Sequence, residues 1–179
     1  MHLLYGTLYT ELNYPLDDQI MGFNNLTYDQ LNPVAYPLAN RFYKQAGEKG
    51  KTQGSDDVYV ARLDSQIIAA VRLCPLRQNI HSSRESQLDS LLLRSLAVLP
   101  EYRRTGVGTQ FMDYVAAQLS GQECWCYPFS WLKIFYAQTG FEVIAPENAP
   151  EHIRVPFENY SRQGRDILIM FRKPHQVDI

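Results

Sequence analysis

The sequence predicts an α/β protein, more closely described as α+β, built on a mixed β-sheet of about six to seven strands. Short runs rich in Val, Ile and Leu mark the strands, and Gly, Pro and polar residues separate them. Two hairpin strands come first, and helices then alternate with strands, so both antiparallel and parallel pairs are expected. A length of 179 residues suits a single domain.

The first half of the chain predicts a strand, a helix and a hairpin. A short strand is expected at residues 24–28. A helix is expected at residues 32–46, with Asn32 as the N-cap and a proline in the first turn. Residues 58–63 and 66–73 alternate in the manner of strands and are joined by Asp-Ser, which predicts a hairpin.

The second half alternates between strands and helices. An apolar residue at every fourth position from Val107 to Leu119 predicts an amphipathic helix. Ser130 is the expected N-cap of the next helix, Gly140 its left-handed C′ residue and Phe141 the apolar contact that follows. The predicted elements are a loop at 77–90, strand 91–98, helix 107–120, strand 123–127, helix 131–139, strand 141–144, loop 145–166 and strand 167–171.

The composition of the chain argues against several classes of function. The net charge of −2 gives no general reason to bind nucleic acid or an anionic membrane. No apolar run is long enough to span a bilayer, and the N-terminus lacks the pattern of a secretory signal. The three cysteines, Cys74, Cys124 and Cys126, are too few for a disulfide framework and complete no metal site, so a cytoplasmic protein without a metal is expected. Residues 1–20 form either a β arm or an extension that packs on a second subunit of a homodimer.

A glycine-rich turn carries the first functional signal. Arg103-Arg104-Thr105-Gly106-Val107-Gly108 joins the apolar strand 91–98 to the amphipathic helix. The first turn of a helix has unbonded N–H groups and a partial positive charge, glycines allow close approach, and arginines add charge. The turn therefore predicts a phosphate-bearing ligand. It matches neither the P-loop nor the dinucleotide pattern, because the Gly-Lys-Ser/Thr and the third glycine are missing.

A second motif, Phe135-Tyr136-Ala137-Gln138-Thr139-Gly140-Phe141, follows one strand and one helix later. With the strand ending in Val98-Leu99-Pro100 and the glycine-rich turn, the chain resembles the GNAT superfamily of N-acetyltransferases from about residue 91 to residue 144. The resemblance implies a single-domain GNAT-like fold over residues 1–179, with the sheet splayed at the central strand and helices on both faces. It also implies acetyl-CoA as co-substrate and an amine of a small molecule or protein as acceptor.

The resemblance assigns roles to particular residues. Tyr136 matches the tyrosine that protonates the departing thiolate, which is reasonable chemistry for a phenol. An N–H near Leu96 would stabilise the oxyanion. The implied coenzyme-binding residues are Leu96, Ala97 and Val98 for the pantetheine arm, and Arg103, Arg104, Gly106, Val107, Gly108 and Thr109 for the pyrophosphate.

The general base and the acceptor stay open. An amine with a pKa near ~10 must lose a proton before it attacks, yet the central strand lacks the glutamate that many relatives carry. The acceptor would lie against residues 36–55 and 145–166. The candidates for the base are Asp89, Glu85, His81, His152 and a water held by Ser95. Contacts to the acceptor could come from the acidic residues Glu147, Glu151 and Glu158, or from the aromatic residues Tyr28, Tyr36, Phe42 and Tyr43. The simpler interpretation is that the acidic residues are solvated charges and the aromatic residues belong to the core.

Three functions are therefore compatible with the sequence. The first is an N-acetyltransferase acting on a primary amine. The second is a transferase on the same scaffold that uses a longer acyl donor. The third is a non-catalytic module that binds or senses acyl-CoA, an alternative kept open by the missing strand carboxylate.

Overall fold

A seven-stranded mixed sheet is the centre of the computed structural model, which describes residues 25–76, 90–119 and 121–174. The strand order is β1-β2-β3-β4-β5-β7-β6. Within the described residues only β4 and β5 pair in parallel, and the other neighbours are antiparallel. The mixed sheet predicted from the sequence is confirmed. The strands are β1 (Leu26–Gln30), β2 (Asp57–Leu63), β3 (Gln66–Leu76), β4 (Ser90–Val98), β5 (Cys124–Cys126), β6 (Glu142–Ile144) and β7 (Ile169–Arg172).

Four α-helices are described: α1 (Tyr36–Gln45), α2 (Val107–Gln118), α3 (Lys133–Ala137) and α4 (Glu151–Arg162). Each is preceded by a short 3₁₀ turn, at Pro33–Ala35, Pro100–Tyr102, Ser130–Leu132 and Pro146–Asn148 respectively. The helix predicted at residues 32–46 is thus a 3₁₀ turn followed by α1. Asn32 caps the turn as expected, because its side chain accepts a hydrogen bond from the Val34 N–H.

The helices cover both faces of the sheet. Tyr114 of α2 packs edge-on against Tyr59 of β2, and α2 also lies beside α3 at the Gly108–Phe135 contact. On the opposite face, α4 packs Ile153 against Trp125 of β5. Tyr43 of α1 lies on that same face, beside the β3 side chains that point away from α2. This arrangement leaves α2 and α3 on one face and α1 and α4 on the other.

The core confirms the predicted periodicity of α2. Val107, Phe111, Val115 and Leu119 are all fully buried. The aromatic side chains near α1 are core residues too: Tyr36, Phe42 and Tyr43 are buried in the main cluster, and Tyr28 packs against it. Cys124 and Cys126 point to the same face and are buried, as packing residues are.

The end of α3 also follows the sequence. Gly140 adopts a φ of 85°, the Gly140 N–H donates to Ala137 O, and the Phe141 N–H reaches back to Tyr136 O. This pair of bonds is the predicted Schellman stop. The predicted start is wrong, because Ser130 is not an N-cap. It begins a 3₁₀ turn instead, and its hydroxyl is hydrogen-bonded to Asp166.

Residues 145–166, predicted to be a loop, contain helix α4. Its sequence is polar and includes Pro156, which cannot donate to the backbone and normally disfavours a helix interior. Tertiary packing overrides that preference, since Ile153 is buried and Phe157 packs against the same cluster. Arg154 and Glu158 add an i,i+4 ion pair at 3.1 Å on the outer side.

Two predictions are not tested by this fold. The arm at residues 1–20 and most of the loop at 77–90 lie outside the described residues. Among the described helices, none has the length and apolar character needed to cross a membrane.

Candidate active site

The site begins where β4 and β5 separate. The two strands pair only through Leu91–Cys124, Leu92–Trp125 and Leu93–Cys126. Beyond Leu93, β4 continues alongside β3 to Val98. The chain after β5 instead pairs with the residues just before β7, through the Phe129–Ile167 bridge. The edge of β4 that faces β5 therefore has no strand partner from residue 94 onward, among the residues described. The splay that the resemblance implied is present.

A bulge in β4 marks the point of separation. The register against β3 shifts between Ala70 and Arg72, and Ser95 adopts a φ of 53°. Gly50, in the loop after α1, lies against this bulge so closely that a Cβ on Gly50 would come within 2.5 Å of Ser95 Oγ. The loop after α1 is therefore held against the opening between the strands.

The separated strands enclose a cleft of about 240 Å³. Its lining comes from β4, from β5 and the residues after it, from α3, and from three residues on the α1 and α4 face. The described lining residues are Glu48, Leu93, Arg94, Ser95, Leu96, Cys126, Tyr127, Pro128, Phe129, Leu132, Tyr136, Tyr160, Arg165 and Ile167.

The glycine-rich turn lies where β4 ends and α2 begins. Arg104 has a φ of 62° and Gly106 a φ of 87°, so the chain turns sharply before the helix. No side chain caps α2. Within the described part of the chain, no group accepts from the backbone N–H groups of residues 105–109. A run of unbonded donors at a helix start is a ready site for an anion such as a phosphate.

The two arginines of the turn differ. The Arg103 Nε donates to Val98 O at 2.9 Å and its Nη2 to Ala46 O at 3.4 Å, which ties the turn to the ends of β4 and α1. Arg104 is exposed, and no carboxylate of the described residues lies within ion-pair distance of it. Arg104 is therefore the side chain of the pair better placed to meet an anion.

The two glycines of the turn also have different roles. Gly106 needs its lack of a side chain because its φ lies in the left-handed region. Gly108 is helical, and a Cβ there would meet Val98 and Phe135 at ordinary contact distances of 3.6 and 3.8 Å. Gly108 thus borders the passage between the end of β4 and α3, and a large side chain would fill it.

Tyr136 of α3 reaches into the cleft. Its ring is buried between Phe135 and Phe141, which contact it edge-on. Its hydroxyl has no hydrogen-bond partner among the residues described. Burial, with a smaller contribution from the neighbouring Cys126, Cys124 and Glu48, raises the pKa of this phenol well above its usual value. The group therefore remains a proton donor at neutral pH.

Glu48 is the acidic residue that the described chain brings into the cleft. It follows α1, where its N–H donates to Tyr43 O, and its side chain is exposed at the opening. Sequence reasoning missed it, because the loop reaches the bulge only through the packing of Gly50. The candidates Asp89, Glu85 and His81 lie outside the described residues. His152 is exposed on α4 and does not line the cleft.

Three further cleft residues had no assigned role, although two of them lie in the acceptor region expected at residues 145–166. Arg94 of β4, Tyr160 of α4 and Arg165 after α4 meet on the face opposite α2 and α3. Arg94 Nη2 lies 3.5 Å from the Tyr160 hydroxyl, and the Arg165 guanidinium stacks 5.0 Å from the centre of the Tyr160 ring. A signal for Arg94 was visible in the sequence, since it interrupts an otherwise apolar strand with a charge.

A buried ion pair contacts the bulge of β4. Arg72 of β3 and Asp56 are 3.1 Å apart, with side chains only 7% and 4% exposed. Arg72 also donates to Lys51 O and lies 3.4 Å from Ser95 Oγ. The pair thus connects β3, the loop after α1 and the bulge of β4.

Comparison with known proteins identifies the fold. It is the fold of the GNAT acetyltransferases. The profile of the family described as "Acetyltransferase (GNAT) domain" matches residues 54–143, and the chain belongs to that family. A search of curated proteins finds no match.

Solved structures share the fold at low identity. N-acetylglutamate synthase from Neisseria gonorrhoeae, complexed with coenzyme A and N-acetyl-glutamate, is 16% identical with a TM-score of 0.56; the match covers 84% of this chain but only 35% of that one. Ribosomal-protein-S18-alanine N-acetyltransferase from Escherichia coli is 15% identical with a TM-score of 0.58, covering 86% and 98%. Arabidopsis thaliana Naa50, in complex with the bisubstrate analogue CoA-Ac-MVNAL, is 14% identical with a TM-score of 0.57, covering 83% and 99%.

Proposed function

We propose that residues 1–179 form a single N-acetyltransferase domain that moves an acetyl group from acetyl-CoA to a primary amine of a small molecule or protein. The observation that carries this proposal is the row of unbonded N–H groups at the start of α2. Gly108 in this row lies 3.8 Å from Phe135, the residue before Tyr136, which lines the cleft. Hydrogen-bond donors suited to a phosphate and a phenol proton donor are therefore both placed beside α3.

The coenzyme would be held mainly by backbone groups. The N–H groups of Gly106, Val107, Gly108 and Thr109 take the pyrophosphate, with Arg104 adding charge. Arg103 holds the turn in shape through Val98 O and Ala46 O. The pantetheine arm takes the place of a missing strand along Leu96, Ala97 and Val98, whose edge toward β5 has no strand partner in the described chain.

The reaction needs a base and an acid, and the cleft contains a candidate for each. Glu48 accepts a proton from the acceptor ammonium, directly or through water, which frees the nitrogen lone pair. The nitrogen bonds to the thioester carbon, an N–H near Leu96 stabilises the oxyanion, and the carbon–sulfur bond breaks. Tyr136 donates its proton to the departing sulfur, and the second proton of the attacking nitrogen leaves through water, which restores the phenol. The phenol is protonated before the step.

The neighbours in structure support the kind of reaction. One holds coenzyme A with N-acetyl-glutamate, and another holds an analogue that joins coenzyme A to a peptide through an acetyl group. Both are compatible with an amine acceptor. They are too distant in sequence to name the acceptor of this chain.

Two measurements test the proposal. Calorimetric titration with coenzyme A should give saturable binding, and acetyl-CoA mixed with a panel of amines should release free thiol in step with acetylated product. Saturable binding without thiol release for any amine would favour a non-catalytic acyl-CoA-binding module. A rate with longer acyl-CoAs equal to that with acetyl-CoA would favour the broader transferase.

A tyrosine variant tests the acid. Tyr136→Phe removes only the hydroxyl, so we expect turnover to fall by roughly 10²-fold while the affinity for coenzyme A changes less than about twofold. Tyr114→Phe is the matched control, since Tyr114 packs against Tyr28 away from the cleft and should leave both quantities unchanged. Undiminished turnover in Tyr136→Phe would remove this residue from the mechanism.

A further inference from the structure

We infer that the acceptor is a small amine that also carries a carboxylate, and that Arg94 and Arg165 bind this carboxylate on the α1 and α4 face of the cleft. The inference rests on the proposed function and names its substrate class. Three observations carry it: the position of Arg94, the arrangement around Tyr160, and the presence of charges of both signs in the cleft lining.

Arg94 occupies the first position of β4 beyond its pairing with β5. The register places it opposite Arg72 of β3, and like charges in directly opposed positions repel. Asp56 neutralises Arg72, but no carboxylate of the described residues lies within ion-pair distance of Arg94. Arg94 is exposed at the cleft, beside another cation and without a carboxylate partner in the described chain, so its guanidinium is well placed to bind an anionic ligand.

Tyr160 brings the second guanidinium to the same place. Its hydroxyl lies 3.5 Å from Arg94 Nη2, and Arg165 stacks on its ring at 5.0 Å. Arg165 likewise has no carboxylate partner within the described chain. Arg94 thus meets the hydroxyl of Tyr160 and Arg165 the face of its ring, and planar donors of this kind match the geometry of a carboxylate.

The charges of the cleft come from different elements. Glu48 reaches the cleft from the loop after α1, Arg94 belongs to β4, and Arg165 follows α4. A ligand with an ammonium at one end and a carboxylate at the other complements both groups. The cleft volume of about 240 Å³ favours a compact molecule.

The test uses matched acceptors with the protein of residues 1–179. L-amino acids, their primary amides and the corresponding amines without a carboxyl group are compared for kcat/KM in thiol release. Binding of the N-acetyl amino acids and N-acetyl amino acid amides in the presence of coenzyme A is measured by calorimetry. We expect the carboxylate member to be favoured by roughly tenfold or more in both assays, the strength of a charge-assisted hydrogen bond.

Arginine variants test which residues produce the preference for a carboxylate. Arg94→Gln and Arg165→Gln should each reduce it by about tenfold without changing the affinity for coenzyme A. Arg162→Gln, at the exposed end of α4 and outside the cleft lining, should change nothing. Equal handling of the paired acceptors, or no binding of either product, overturns the inference. The proposed function fails separately if no amine at all supports thiol release, and the binding assay then still decides the carboxylate site.

Discussion

Alanine substitutions at the two glycines of the turn before α2 should change the free energy of unfolding in opposite directions. Gly106 has a φ of 87°, and an L-residue in that region costs about 1–2 kcal/mol. Part of this cost is offset, because alanine restricts the unfolded chain by about 0.4–1 kcal/mol. Gly106→Ala should therefore lower the free energy of unfolding by about 1 kcal/mol.

Gly108→Ala should act in the other direction. The added Cβ meets Val98 and Phe135 at 3.6 and 3.8 Å, which are ordinary contacts, and the residue is helical. Replacing a helical glycine by alanine should stabilise the protein by about 0.5 kcal/mol. The two variants should then differ by about 1.5 kcal/mol, or about 3–6 °C in Tm for a chain of this size.

Urea unfolding and thermal unfolding without ligand measure these differences. The same variants, with Gly108→Trp added, are then titrated with coenzyme A. The indole would fill the passage beside Val98 and Phe135, so we expect at least roughly a hundredfold loss of affinity. The reasoning is refuted if Gly108→Ala is the less stable of the two alanine variants, or if Gly108→Trp binds coenzyme A as tightly as the native protein.

Two further predictions concern stability. Arg72→Met leaves Asp56 charged and buried, so we expect a loss of about 3–5 kcal/mol in urea unfolding. Arg62→Met, which breaks the partly exposed pair with Asp29, should cost less than about 1 kcal/mol. Equal effects would contradict this. Burial raises the pKa of Cys124 from 9.0 to about 12 and that of Tyr127 from 10.0 to about 12. The unfolded chain therefore loses these protons first, and the free energy of unfolding should be constant to about pH 8 and fall between pH 9 and 12, with a shallower fall in Cys124→Val; a flat profile would be inconsistent with this burial.

Much of the fold could be predicted because its signals are local. The apolar period of α2 and the glycine stop of α3 depend on side chains a few residues apart, so the sequence contains them directly. The hairpin of β2 and β3 formed as expected, with Asp64 in its turn at a φ of 53°. The splay between β4 and β5 was implied by the family resemblance alone, since no local pattern encodes a gap between strands.

The errors arose where distant contacts decide. Helix α4 contains Pro156, and its polar sequence favours a loop until Ile153 packs against β5 and β7. Ser130 is a good capping residue by type, but its hydroxyl donates a hydrogen bond to Asp166, 36 positions away in the sequence. Glu48 could not be assigned to the cleft, because only the close approach of Gly50 to Ser95 places its loop there.

The short pairing of β4 with β5 has a consequence for the sheet as a whole. Three residue pairs join the four strands on one side to the three on the other. A molecule that lies along the unpaired edge of β4 supplies hydrogen bonds that the polypeptide itself does not make, and it bridges both halves. The complete sheet is then a property of the complex, so resistance to heat should rise with coenzyme concentration as mass action requires.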